Sequence, residues 1–144
     1  MKKQLIRIIA ITSLALVAAC GGPKDIQIEI KPLGIQMKYE TTEFQVKAGQ
    51  KVTLIMNNTA SSPAMKHNVV ILTDKDAVQE IGTAAITAKN HLPDHPAIYA
   101  ATPLADAGKT TSVTFTAPKE KGSYLYICTF PGHYMMMQGT MIVK

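Results

Sequence analysis

The stretch "CTFPGHYMMM", residues 128–137, gathers a thiol, an imidazole and three thioethers. A second imidazole, His67, stands far upstream at the head of an apolar run. Thiolate and thioether sulfurs are soft donors that favour Cu(I), whereas imidazole serves both oxidation states of copper. Two imidazoles and one thiolate in a plane, with a long and weak axial thioether, make a one-electron copper site. Spacing alone leaves Met135, Met136 and Met137 as equal candidates for the axial position. Methionine is also an adaptable filler, so the other two are expected at packing or surface positions. His91 and His95 lie four apart in "HLPDHPA" (91–97), but Pro93 and Pro96 oppose the helix that would bring them together. They read as solvated loop residues.

Donors so distant in sequence need a framework to bring them together. "IQIEI" (26–30), "IQMKY" (35–39) and "EFQVKAG" (43–49) alternate apolar and polar residues, the period of a half-buried strand. "KVTLIM" (51–56) is apolar and β-branched, and it stops at Asn57-Asn58. "HNVVIL" (67–72) fits a strand with a buried middle. Residues 73–90 place Ala77, Val78, Ile81, Ala84, Ala85 and Ala88 at helical spacing, with Thr73 and Asp76 resembling a capping box. Gly82 costs that helix about 1 kcal/mol relative to alanine. The β pattern returns in "TSVTFTA" (111–117), "SYLYIC" (123–128) and "GTMIVK" (139–144). Seven or eight short strands with one helical insertion predict an all-β, Greek-key β-sandwich. Loops at one end of a sandwich cluster, so His67, Cys128, His133 and a methionine could converge at one pole. Pro131 fixes φ and Gly132 permits positive φ, making "FPGH" a shaped turn.

These residues resemble those of the cupredoxins, within them the azurin/auracyanin family. The likeness rests on "HN" opening an apolar strand at 67–72 and on "CTFPGH" with Met137, spaced as in the azurin ligand loop. It covers most of residues 25–144 and is weakest over 73–110. It implies one type 1 (blue) copper per chain, cycling between Cu(I) and Cu(II). Cys128 would be the thiolate ligand, His67 and His133 the equatorial imidazoles, and Met137 the axial ligand. It also implies that Asn68 ties the ligand loops together through Thr129, and that the N–H groups of Asn68 and Phe130 point at the Cys128 sulfur. Such contacts tune a metal site. The family's helical flap falls where the helix is read here. Lys66 replaces the azurin glycine whose carbonyl approaches copper, so its own carbonyl is at most a weak ligand. The azurin internal disulfide has no counterpart.

The N-terminal "MKKQLIRIIAITSLALVAAC" has a cationic start, an apolar run and small residues before Cys20, the form of an export signal. The run is short for a membrane-spanning helix. "LVAAC" resembles the bacterial lipobox, in which the cysteine becomes the lipid-bearing first residue. The expected organisation is a lipoprotein signal peptide at 1–19, a lipid-anchored tether at 20–25 and one domain at 26–144. Acyl chains on Cys20 would hold the domain at a membrane, at the bacterial periplasm or cell surface. Residues 1–19 carry three cations and no acid, so the net charge falls from +5 to +2 without them. No block of like charges remains that would serve as a nucleic-acid arm. Cys128 is then left without a disulfide partner, and an unpaired thiol in an oxidising compartment is at risk unless a metal holds it.

The function expected is electron transport, not enzymatic catalysis, by a monomeric domain. The resemblance implies redox partners such as c-type cytochromes or membrane electron-transfer complexes. Met65, Pro131, Tyr134, Met135 and Met136 would form an apolar docking patch around the edge of His133. A copper chaperone or buffer is the alternative, since thioethers suit Cu(I). A Cys-His-Asn hydrolase built on Cys128 and Asn68 lacks the expected order and context. A copper enzyme would need a second metal site, for which His91 and His95 are poor material.

Overall fold

The computed structural model describes residues 22–144. The expected signal peptide at 1–19, Cys20 and the first tether residues lie outside the described residues.

Among the described residues eight strands follow one another: β1 (Ile26–Ile30), β2 (Glu43–Val46), β3 (Lys51–Asn57), β4 (Val70–Leu72), β5 (Ile98–Ala101), β6 (Thr110–Thr116), β7 (Gly122–Ile127) and β8 (Gln138–Val143). One α-helix, α1 (Val78–Ala84), lies between β4 and β5. The strands form two sheets, ordered β1-β3-β6 and β2-β8-β7-β4-β5. β1 runs parallel to β3 and β2 parallel to β8, and the remaining pairs are antiparallel.

The alternation in the sequence is the pleat. In β3, Val52, Leu54 and Met56 are buried while the intervening residues are not. They meet Ile30, Phe44, Val69, Ile71, Tyr126 and Met141 between the sheets. Fully burying each such side chain contributes about 1.5–3 kcal/mol. Tyr126 lies over Gly139, its partner in the β7–β8 register. A Cβ at Gly139 would come within 2.2 Å of the ring, so only glycine leaves room.

β4 is apolar on both faces because two cores need it. Val69 and Ile71 face the sandwich, whereas Val70 and Leu72 join Ala77, Ile81, Ala97, Ile127 and Tyr134 beneath α1. The helix therefore roofs the outer face of the five-stranded sheet. It is shorter than the 73–90 pattern suggests. Asp74, not Thr73, caps the preceding 3₁₀ turn, accepting from the Asp76 N–H at 2.8 Å. Asn90 and His91 adopt left-handed φ of 52° and 55°, which ends helical continuation. Of the alanines, Ala77 and Ala85 are buried but Ala84 is exposed.

Two strand readings change. Residues 35–39 do not form a strand: only the isolated Pro32–Tyr39 bridge survives, and Ile35 and Met37 are exposed. The segment folds back on itself, with the Leu33 N–H on the Lys38 carbonyl, and joins neither sheet. Conversely, β5 was not legible. It is a four-residue edge strand with two alanines, a weak β signal.

Candidate metal centre

His67 enters the site just before β4. Its N–H donates to the Ala105 carbonyl at 3.1 Å, and its carbonyl accepts from the Ala105 N–H at 2.8 Å. The turn ahead of it is held by Asn58, whose buried amide donates to the Met65 carbonyl at 2.8 Å and the Ala105 carbonyl at 2.9 Å. Cys128 follows the last residue of β7. Ile127 points to the outer core, so the strand period turns the Cys128 sulfur inward. The loop to β8 then closes on itself. The Cys128 N–H donates to the Met137 carbonyl at 3.0 Å, and the Met137 N–H donates to the His133 carbonyl at 2.8 Å. Gly132, at φ +83°, supplies the turn.

The two loops are locked together by one reciprocal pair. The Asn68 amide donates to the Thr129 hydroxyl at 2.8 Å, and the Thr129 N–H donates to the Asn68 side-chain oxygen at 2.9 Å. Both residues are fully buried. The Tyr39 hydroxyl adds a 2.6 Å bond to the Asn68 carbonyl, which explains why Tyr39 is buried although its segment is no strand.

The result is a buried triad of donors, His67, Cys128 and His133. Both histidines turn Nδ1 toward the Cys128 sulfur, at 3.8 Å from His67 and 3.6 Å from His133. With bonds of about 2.3 Å to sulfur and about 2.0–2.1 Å to nitrogen, donors on one ion stand about 3.6 Å apart in tetrahedral and about 3.8 Å apart in trigonal geometry. The triad has that spacing. Its charge state suits a metal as well. Burial pushes the His67 imidazole down to about 4, helped by the neighbouring His133, and burial lowers His133 too. Both rings are neutral at pH 7 and free to donate lone pairs. Burial pushes the Cys128 thiol up to about 11, opposed by the N–H groups of Asn68 and Phe130 that approach its sulfur. A cation would displace that proton, since metal binding requires the thiolate.

The methionines separate by burial. Met137 is fully buried beside Cys128 in the main core, whereas Met135 and Met136 are 63% and 67% exposed. Tyr134 is packing, buried beneath α1. The Lys66 ammonium turns away to a 2.7 Å ion pair with Asp106.

His91 and His95 are not the solvated loop residues expected. Both are half-buried. The His91 Nδ1 contacts the Ala85 carbonyl at 3.0 Å, and its ring meets Phe130 edge-on. His95 Nδ1 accepts from the Ala97 N–H at 3.1 Å, and its Nε2 lies 3.3 Å from Glu80. Neither joins the triad. Asn58 and Ala105, which seat His67, carried no signal beyond the Asn57-Asn58 strand stop.

A model of copper binding proteins, the plastocyanin/azurin family, matches residues 26–144. The chain belongs to this family. It is 39% identical to auracyanin-A of Chloroflexus aurantiacus, over 93% of each chain. It is 32% identical to azurin of Pseudomonas aeruginosa, over 98% of this chain and 100% of that one. It is 35% identical to outer membrane protein H.8 of Neisseria gonorrhoeae, over 72% of this chain and 60% of that one. The solved structure of auracyanin A, a "blue" copper protein from C. aurantiacus, superimposes with a TM-score of 0.77 at 41% identity, over 83% of this chain and 99% of that one. The eight-stranded sandwich is a cupredoxin fold, its family is copper-binding, and the buried His67–Cys128–His133 set is positioned where it could hold a copper ion.

Proposed function

We propose that this protein is a one-electron carrier whose single type 1 copper is held by His67, Cys128, His133 and Met137. The observation that carries this reading is the donor triad itself: buried, neutral in its imidazoles and already at ion-sharing distances. Bound there, copper supplies reversible exchange between Cu(I) and Cu(II). The chain supplies rigidity. Asn68–Thr129, His67–Ala105 and Cys128–Met137 fix the donors by hydrogen bonds within a close-packed core, which keeps them in place when the charge changes. Met137 is the axial ligand on this reading, being the one methionine of the three that is buried beside the thiol. The Lys66 carbonyl is at most a weak contact.

Electrons would enter and leave through the edge of His133, which is 4% exposed. Met135 and Met136 are exposed beside it and suit docking of an apolar face on a redox protein such as a c-type cytochrome. Residues 1–20 suit export and lipidation at Cys20, placing the domain on a membrane facing the periplasm or exterior. The likeness to a protein named for the outer membrane is in keeping with this. Among the described residues no helix is long and apolar enough to cross a membrane. An enzymatic role is not part of this reading, because the donor set is enclosed. A copper chaperone would want an accessible, exchangeable site, and the burial of all three donors favours the carrier.

Copper-loaded protein should show an intense visible thiolate-to-copper absorption, lost in Cys128→Ala, together with reversible voltammetry. A colourless adduct that surrenders Cu(I) readily to a chelator overturns the carrier reading in favour of the chaperone.

A further inference from the structure

Both loop ligands are followed by a residue fastened to the helical flap. Tyr134 follows His133, and Thr129 follows Cys128. His133 faces the copper donors, whereas Tyr134 points into the outer core under α1. The Tyr134 ring lies so close to the helix backbone that a Cβ at Gly82 would come within 2.3 Å of its Cγ. Its hydroxyl accepts from the Gln79 amide at 3.1 Å, and its carbonyl accepts from the Gln138 amide at 2.8 Å. The ring, the hydroxyl and the backbone of Tyr134 are thus all held, and the His133 backbone is held with them. On the Cys128 side, the Thr129 hydroxyl donates to the His91 carbonyl at 2.6 Å. That carbonyl is aimed by left-handed backbone at Asn90 and His91, a conformation uncommon outside glycine and tolerated best by Asn, Asp and His. The His91 ring pins the turn from the other side, between the Ala85 carbonyl and Phe130.

A flap that only roofed the sheet would need apolar contact, not a bare glycine beneath a ligand's neighbour or a strained carbonyl aimed at Thr129. We propose that the flap, residues 74–92, is a positioning element of the metal centre, with Gly82 and His91 as positioning residues that act through Tyr134 and Thr129 on His133 and Cys128. The inference rests on the copper reading above.

Gly82→Ala tests it by wedging a methyl under the Tyr134 ring, and Tyr134→Leu by removing the ring. Ile98→Val, which thins the same outer core from β5, outside the flap, is the control for stability. Three properties are read besides Tm: the His133 ring resonances of metal-free protein, copper affinity, and the visible band with the reduction potential. Gly82→Ala and Tyr134→Leu should shift the His133 resonances, lower copper affinity by about tenfold and move the band and potential. Ile98→Val should lower Tm alone. If Gly82→Ala does not fold, Tyr134→Leu decides. Site variants that lose only Tm, like the control, overturn the proposal. Wild-type protein that takes up no copper or stays colourless overturns the copper reading instead.

Discussion

Met135 and Met137 carry the same side chain two positions apart, and only their surroundings differ. The loop closes through the Cys128 N–H to Met137 carbonyl bond, which sets Met137 in the core beside the sulfur and leaves Met135 in water. Met137→Leu keeps nearly the same volume, so its stability cost should be below about 1.5 kcal/mol. It removes the thioether, so the visible spectrum and reduction potential should move clearly. Met135→Leu should change neither, and titration of both variants by spectroscopy and voltammetry checks the pair. If Met135→Leu moves the potential and Met137→Leu does not, the axial assignment is wrong. The same reasoning applies to Asn68 and Thr129, which satisfy each other in a buried place. Thr129→Val strands the Asn68 amide and should cost about 1–3 kcal/mol by denaturant unfolding.

At the scale of elements, β7 and β8 flank the loop that holds Cys128, His133 and Met137, and they carry a source of alkaline sensitivity. The Tyr126 hydroxyl donates to the Thr41 carbonyl at 2.5 Å, and burial raises its phenol above the ordinary value of about 10, with Glu43 nearby adding to the effect. Burial raises Tyr39 in the same direction. Below about pH 10 both folded and unfolded chains keep these protons, and the stability is fully present. Above it the unfolded chain releases them while the fold retains them, so stability falls by about 1.4 kcal/mol per pH unit for each phenol. Tyr126→Phe should cost about 1 kcal/mol at neutral pH, for the lost hydrogen bond, and fall less steeply than wild type above pH 10. Urea unfolding across pH 8–11.5 measures both slopes, and parallel curves would refute the assignment to Tyr126. Elements that alternate and also pair, such as β3 and β8, were legible because burial on one face imposes the period. Residues 35–39 alternate without a partner strand, and β5 pairs without a strong pattern, since pairing depends on distant chain. The triad was legible because donor chemistry restricts residue type. The flap's part in it was not, because a glycine under a tyrosine and a backbone carbonyl leave no spacing to read.

Over the whole molecule, the strands run between two poles with different roles. β3 begins beside the 47–50 turn and ends at Asn57, next to the Asn58 that holds the turn before His67. Six residue steps from Lys51 to Asn57 separate these ends by about 20 Å. The start of the described chain belongs to the far pole. The Gln50 amide donates to the Lys24 carbonyl at 2.6 Å, and the C-terminal Lys144 bonds to Val46 and Ala48 there. On the proposed lipidation, an anchor at Cys20 would join the described chain at the pole opposite His133 and would leave the copper edge clear of the membrane. A domain held in that way can meet a soluble partner without releasing its tether. The anchor and the site are then independent. Cys20→Ser should move the protein from the membrane fraction to the soluble fraction, while the visible spectrum and potential stay those of wild type. Fractionation with and without detergent, followed by a spectrum of each pool, checks both halves. Retention of Cys20→Ser in the membrane would remove lipidation as the anchor, and an altered spectrum in the soluble pool would mean that the two poles are coupled after all.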